Sequence, residues 1–141
     1  MFRLLIIILL LPIGSYAKEY DPIDKINREV NAVQFVSDIE NYGVDDYTAT
    51  PEEFYSRGGD CEDYAVAKYH RLIEQGFNAK KIKFVMVKTP QYTDHVVLMV
   101  RTGLFEKQVL DNLRNPVEDI NYLTTWYRDW IFLSYDQFIN R

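Results

Sequence analysis

The chain has 141 residues, 48% of them hydrophobic and 15% aromatic, enough for one domain with one modest core and too short for two. Its formal net charge of −5 at pH 7, with no basic patch, argues against nucleic acid or an anionic membrane surface as a partner. There is one cysteine, so the chain has no second thiol with which to staple itself.

Residues 1–17 read as a secretory signal. Arg3 supplies the positive start, Leu4 to Leu11 is an unbroken apolar run, and Ser15-Tyr16-Ala17 offers small residues for cleavage. The run is well short of the roughly 20 residues that span a bilayer, and Pro12 interrupts its end. The expectation is an exported domain at residues 18–141 that does not span the membrane once the signal is removed. Exported domains normally use cysteines in pairs, so a retained lone thiol points either to a chemical role or to an ordinary buried core position.

No repeat or low-complexity linker divides the rest. Between Asp24 and Tyr42, apolar side chains at Ile26, Val30, Val33, Phe35, Val36 and Ile39 recur with a spacing of about 3.6. This predicts one amphipathic helix, stopped by Gly43. Val44 to Gly59 is polar, with Thr50-Pro51-Glu52-Glu53 a short helical start in which proline takes the first position. Gly58-Gly59-Asp60 then reads as a turn and an N-cap, opening a helix at Cys61 that runs to about Gln75 before Gly76. Cys61 is thereby the first helical residue, where unpaired N–H groups and the helix dipole favour a thiolate. Three extended segments follow, Ile82 to Lys88, His95 to Arg101 and Lys107 to Asn112, the middle one apolar on both faces and therefore central. The aromatic tail from Tyr122 to Phe138 predicts a last strand or loop on the sheet.

A cysteine nucleophile needs a base, and the base needs an orienting acceptor. His70 lies nine residues after Cys61, on the opposite side of the same helix, which leaves His95. If the last two extended segments form a hairpin centred on Gly103, His95 faces Asp111, with Asn112 and Asp94 as alternative orienting groups. Asp60, Glu62 and Asp63 fall on the arc of the helix away from the sulfur. They suit either a calcium site or simple complementation of the helix dipole by an acidic first turn. One cysteine and two remote histidines make a poor zinc set.

The ordered set Tyr42-Gly43, Asp46-Tyr47, Ala49-Thr50-Pro51-Glu52-Glu53, Gly59-Asp60-Cys61-Glu62-Asp63-Tyr64-Ala65, Lys68-Tyr69, His95-Val96-Val97-Leu98 and Leu110-Asp111-Asn112 resembles the bacterial transglutaminase-like cysteine proteinases. The resemblance covers nearly the whole predicted mature chain. It implies an α+β, papain-like or transglutaminase-like fold, with the catalytic cysteine at a helix N-terminus packed on an antiparallel sheet. It also implies a periplasmic cysteine endopeptidase with a Cys61, His95, Asp111 triad, acting on an exported or surface protein such as a biofilm adhesin. Calcium dependence comes with the family, attached to Asp60 and Glu62; the helix arc adds Asp63. The resemblance leaves room for a regulatory protein in the inner membrane as a further partner. Thr48 stands where the family commonly has tryptophan, a change that bears on substrate choice. A transglutaminase or deamidase acting on glutamine side chains uses the same triad, and a calcium-dependent binding module could keep the fold without the activity.

Overall fold

A computed structural model of the chain describes residues 21–141; the expected signal at residues 1–17 lies outside the described residues. The first helix, α1 (Pro22–Asn31), is capped by Asp21, whose carboxylate accepts from the Ile23 N–H at 2.8 Å, with proline in its first turn. A second short helix, α2 (Asp38–Tyr42), is capped by Ser37 and stopped at Gly43, φ +72. The single helix expected from Asp24 to Tyr42 is therefore two. The chain between them is extended: Phe35 bridges Gly59 in parallel, and the Val36 N–H donates to the Gly59 carbonyl at 3.0 Å. Phe35 and Ile39, both counted in the apolar stripe, are more than half exposed.

Helix α3 (Pro51–Arg57) starts in a reciprocal capping box between Thr50 and Glu53. Helix α4 (Cys61–Glu74) follows after Gly58-Gly59-Asp60. A single 3-10 turn at Ala79–Lys81 leads into β1 (Ile82–Lys88), then β2 (Asp94–Arg101), β3 (Lys107–Leu110) and a two-residue β4 (Glu118–Asp119). The tail supplies the expected last strand on the sheet, β5 (Arg128–Leu133), flanked by two helices its pattern did not predict, α5 (Asn121–Trp126) and α6 (Tyr135–Ile139).

The five strands form one antiparallel sheet in the order β4-β3-β2-β1-β5, so β2 is central, as its two-sided apolar sequence requires. Alternation along the strands splits the apolar side chains between two layers. On one face Ile82, Phe84, Val96, Leu98 and Val100 meet Ala65 and Leu72 of α4 and Ile26 and Val30 of α1. On the other, Val85, Val87, Val97 and Met99 meet Tyr122, Leu123 and Tyr127. Phe138 of α6 is fully buried and stacks on Phe84 at 4.3 Å, closing the first layer.

Candidate active site

The start of α4 is fixed by its own carboxylates. Asp60 accepts from the Glu62 N–H, and Asp63 returns a bond to the Asp60 N–H, each at 3.1 Å, while the other Asp63 oxygen accepts from Ala49 N–H at 2.7 Å. Gly59 is needed for this close packing, since a Cβ there would lie 2.3 Å from the Asp63 carboxylate. Cys61 is partly buried, and the backbone N–H of Val96, the residue after His95 in β2, favours its thiolate. Because the β2–β3 ladder begins only at Leu98, no strand among the described residues pairs the β2 backbone from His95 to Val97 on that side. Burial first, then the charges of Asp60 and Glu62, push the thiol up to about 12.

His95 and Asp111 are brought together: the ring Nε2 lies 2.9 Å from Asp111 Oδ1, with both side chains buried. The hairpin register is two residues further along than a turn centred on Gly103 predicts. Leu98 opposes Leu110, and the Thr102 N–H closes the turn on Glu106. A shift of two keeps every side chain on its face, so Asp111 reaches His95 as a diagonal neighbour instead of a direct one.

Burial alone would raise the Asp111 carboxyl. Donors outweigh it: His95, the Leu113 N–H and the Tyr127 hydroxyl bring it down to about 2. The Tyr122 hydroxyl also donates, at 3.0 Å. An ionised Asp111 accepts only, so the ring proton belongs on Nε2, and Nδ1 is left as the basic atom of a neutral imidazole. The Tyr127 ring lies 5.4 Å from the imidazole. The loop carrying Asp111 is held from α1, where Asn31 donates to the carbonyls of Asp111 and Arg114 and Asn27 to those of Arg114 and Asn115. Beside the pair opens a cleft of about 390 Å³ lined by Pro90, Leu113, Arg114, Tyr122, Trp126 and Tyr127.

The acidic residues sort differently from their order on the helix arc. Asp60 and Asp63 gather with Asp38 of α2, with one carboxylate oxygen from each within 4.8 Å of the others. Glu62 is not in this group; it takes the hydroxyl of Thr48 at 3.4 Å and the guanidinium of Arg141. The three aspartates fit a hard cation. Asp38 Oδ1 is buried without a hydrogen-bond partner among the described residues, and burial together with mutual repulsion lifts Asp60 to about 6 and Asp63 to about 7. Asp38 carries no ligand signal in the sequence, since it falls at a polar position inside the apparent helical stripe from Asp24 to Tyr42. Tyr122 and Tyr127 escape sequence reasoning as two of many aromatics in the tail. His70 meets the Tyr135 hydroxyl at 3.3 Å, remote from the pair.

Residues 12–133 match the family model of the bacterial transglutaminase-like cysteine proteinases, BTLCP, and the chain belongs to that family. Among solved structures it is similar to LapG of Legionella pneumophila. To the calcium-bound form it is 23% identical with a TM-score of 0.67, covering 82% of this chain and 68% of that one. To another LapG structure the identity is 26% and the TM-score 0.65, covering 75% and 60%. The EGTA-treated form gives 26% and 0.64, covering 75% and 59%. The present chain thus spans roughly three-fifths to two-thirds of the LapG chains. No curated protein matches it.

Proposed function

We propose that the protein is a periplasmic, calcium-dependent cysteine endopeptidase that cleaves an exported or surface polypeptide, with Cys61, His95 and Asp111 as its triad. The observation that carries this reading is the buried His95–Asp111 pair, with Nε2 occupied and Nδ1 left basic one residue before Val96, whose backbone N–H favours the Cys61 thiolate. Family membership and the likeness to LapG support the same chemistry.

His95 Nδ1 takes the thiol proton as the sulfur attacks the scissile carbonyl. The backbone N–H of Cys61, in the first turn of α4, stabilises the oxyanion. The imidazolium then protonates the leaving amine, the C–N bond breaks and a thioester remains on Cys61. Water, deprotonated by the same ring, attacks the thioester, and the thiol leaves with the proton returned. Asp111 keeps the ring oriented and its Nε2 protonated throughout. Asp38, Asp60 and Asp63 are the residues that would hold calcium. When bound, the ion would offset carboxylate charge that otherwise opposes thiolate formation. Export through a signal at residues 1–17 brings the enzyme to its substrate, for which an adhesin of the kind retained at the cell surface is the leading candidate.

The test is cleavage of purified exported adhesin, followed by mass spectrometry. Backbone scission is expected, lost in Cys61→Ala and suppressed by a calcium chelator. Turnover at the parental rate in Cys61→Ala would sink the proposal, and a one-unit mass gain or an isopeptide crosslink would point to glutamine chemistry instead.

A further inference from the structure

The cations of the chain are dispersed in the sequence, where no basic patch shows, but the fold gathers five of them. Lys80 and Lys81 of the 3-10 turn, Lys83 of β1, Arg101 of β2 and Lys107 of β3 line one groove of about 190 Å³ with the buried Met99. Arg101 and Lys107 stand directly opposite each other across the β2–β3 ladder. Lys83 opposes Met99, two residues before Arg101 and so on the same face of the sheet. Like charges directly opposed on a sheet are destabilising. None of the five cations lies within ion-pair distance of a carboxylate among the described residues. The nearby carboxylates do not line the groove: Glu106 lies against Gly103, Glu118 opposes Val109, and Asp119 accepts from the Asn121 N–H at 2.8 Å. The turn that joins Arg101 to Lys107 adds an apolar tip. Its Leu104 and Phe105 are 82% and 85% exposed, the most exposed large apolar side chains among the described residues.

We propose that this end of the sheet is a docking surface for an anionic lipid bilayer, with the hairpin tip entering the headgroup region and the groove facing the lipid phosphates. A soluble polyanion would need the cations alone. Two exposed apolar side chains on a turn flanked by those cations suit a bilayer instead, where the tip inserts and the lysine and arginine heads stay at the charged interface. The net charge of −5 does not oppose contact, because salt screens charges more than about 8 to 10 Å away and the nearest charges are these five. His95 lies toward the other end of β2, about 20 Å from Arg101 at about 3.4 Å per residue, so docking leaves the cleft open to substrate. Docking makes no use of the triad and is independent of the protease reading.

The test is cosedimentation of the protein with vesicles of phosphatidylglycerol and phosphatidylcholine in equal parts, compared with phosphatidylcholine alone. Binding to the mixed vesicles only is expected, weakening as salt is added. Lys83→Gln, Arg101→Gln and Lys107→Gln combined should weaken it on the order of 100-fold. Leu104→Ser with Phe105→Ser should weaken it at least about tenfold. No binding to the mixed vesicles overturns the proposal. Binding that falls with the charge variant but not with the serine variant also overturns it, and points to a soluble polyanion. A second reading, independent of how those variants fold, uses the Cys61→Ala protein labelled with an environment-sensitive fluorophore at Leu104→Cys or at Gln91→Cys beside the cleft. The mixed vesicles should shift the emission of the first label to the blue and leave the second unchanged. No shift at the first position, or an equal shift at both, overturns the proposal. A protein that docks in this way but cleaves no polypeptide sustains the docking surface and defeats the protease reading alone.

Discussion

Asp111 gathers more donors than any other side chain of the site: a ring nitrogen, a backbone N–H and two phenols. Its carboxyl is held at about 2, below the ordinary 3.8, so it contributes stability that is present above the unfolded value and lost as pH falls toward 2. The contribution is about 2 kcal/mol, and Asp111→Asn should lose it at neutral pH while flattening the acid side of the stability curve. Denaturant melts between pH 2 and 7 measure both effects. Tyr127→Phe removes one donor and leaves the ring packing. Its expected effect is a drop in kcat of about tenfold, with little change in secondary structure by circular dichroism, because a hydrogen bond to a buried charge is worth about 1.5 to 3 kcal/mol. A kcat equal to the parent's would mean that Tyr122 alone suffices to hold the carboxylate.

At the scale of elements, the turn before α4 has no tolerance. Gly58, at φ +79, would bring a Cβ to 2.4 Å from the Gln34 carbonyl, and Gly59 would drive one into Asp63. Gly59→Ala should therefore displace Asp63 from both the capping box and the aspartate cluster. The expected result is loss of any calcium-induced rise in melting temperature, read by calorimetry with and without the ion. The same turn shows how far the sequence could be read. The box around Thr50, the N-cap at Asp60, the start of α4 at Cys61 and the strand Ile82–Lys88 are local signals, set by residues within a turn of one another, and they were legible. The His95–Asp111 pairing was legible too, because strand parity survives a register error of two. The break between α1 and α2 was not. It is imposed by Gly59, more than twenty residues downstream, which pairs with Phe35 and turns an apparent helical stripe into extended chain. Asp38 became visible as a neighbour of Asp60 only once that break was known. The aromatic tail defeated pattern reading because its residues serve both sheet faces: Phe138 packs on one and Tyr127 on the other.

For the whole molecule, the sheet is a partition between a helical layer and an aromatic layer, and the site lies where β3 stops short and both layers reach the same strand end. The three aspartates act at this scale. Asp60 and Asp63 are raised in the folded state, so their protonated forms stabilise it below the unfolded value, and that contribution is lost as pH rises through about 6 and 7. A cation bound at the cluster would replace those protons. Calcium should accordingly raise the melting temperature more at pH 8 than at pH 5.5, a contrast that differential scanning fluorimetry resolves. Equal shifts at the two pH values would place the ion away from this cluster.

Asp38 lies on one side of the polar segment that carries α3, and Asp60 and Asp63 on the other. An ion shared among them would close that segment into a loop, as a disulfide would in a chain with cysteines to spare. Such a fastening would be reversible and would respond to free calcium, which a covalent bridge does not. Limited proteolysis should show the difference: cuts between Gly43 and Thr50 appear in chelator and fade as calcium is restored, each site read by mass spectrometry. With calcium bound there, the protein would carry its own control over how long it survives proteolysis.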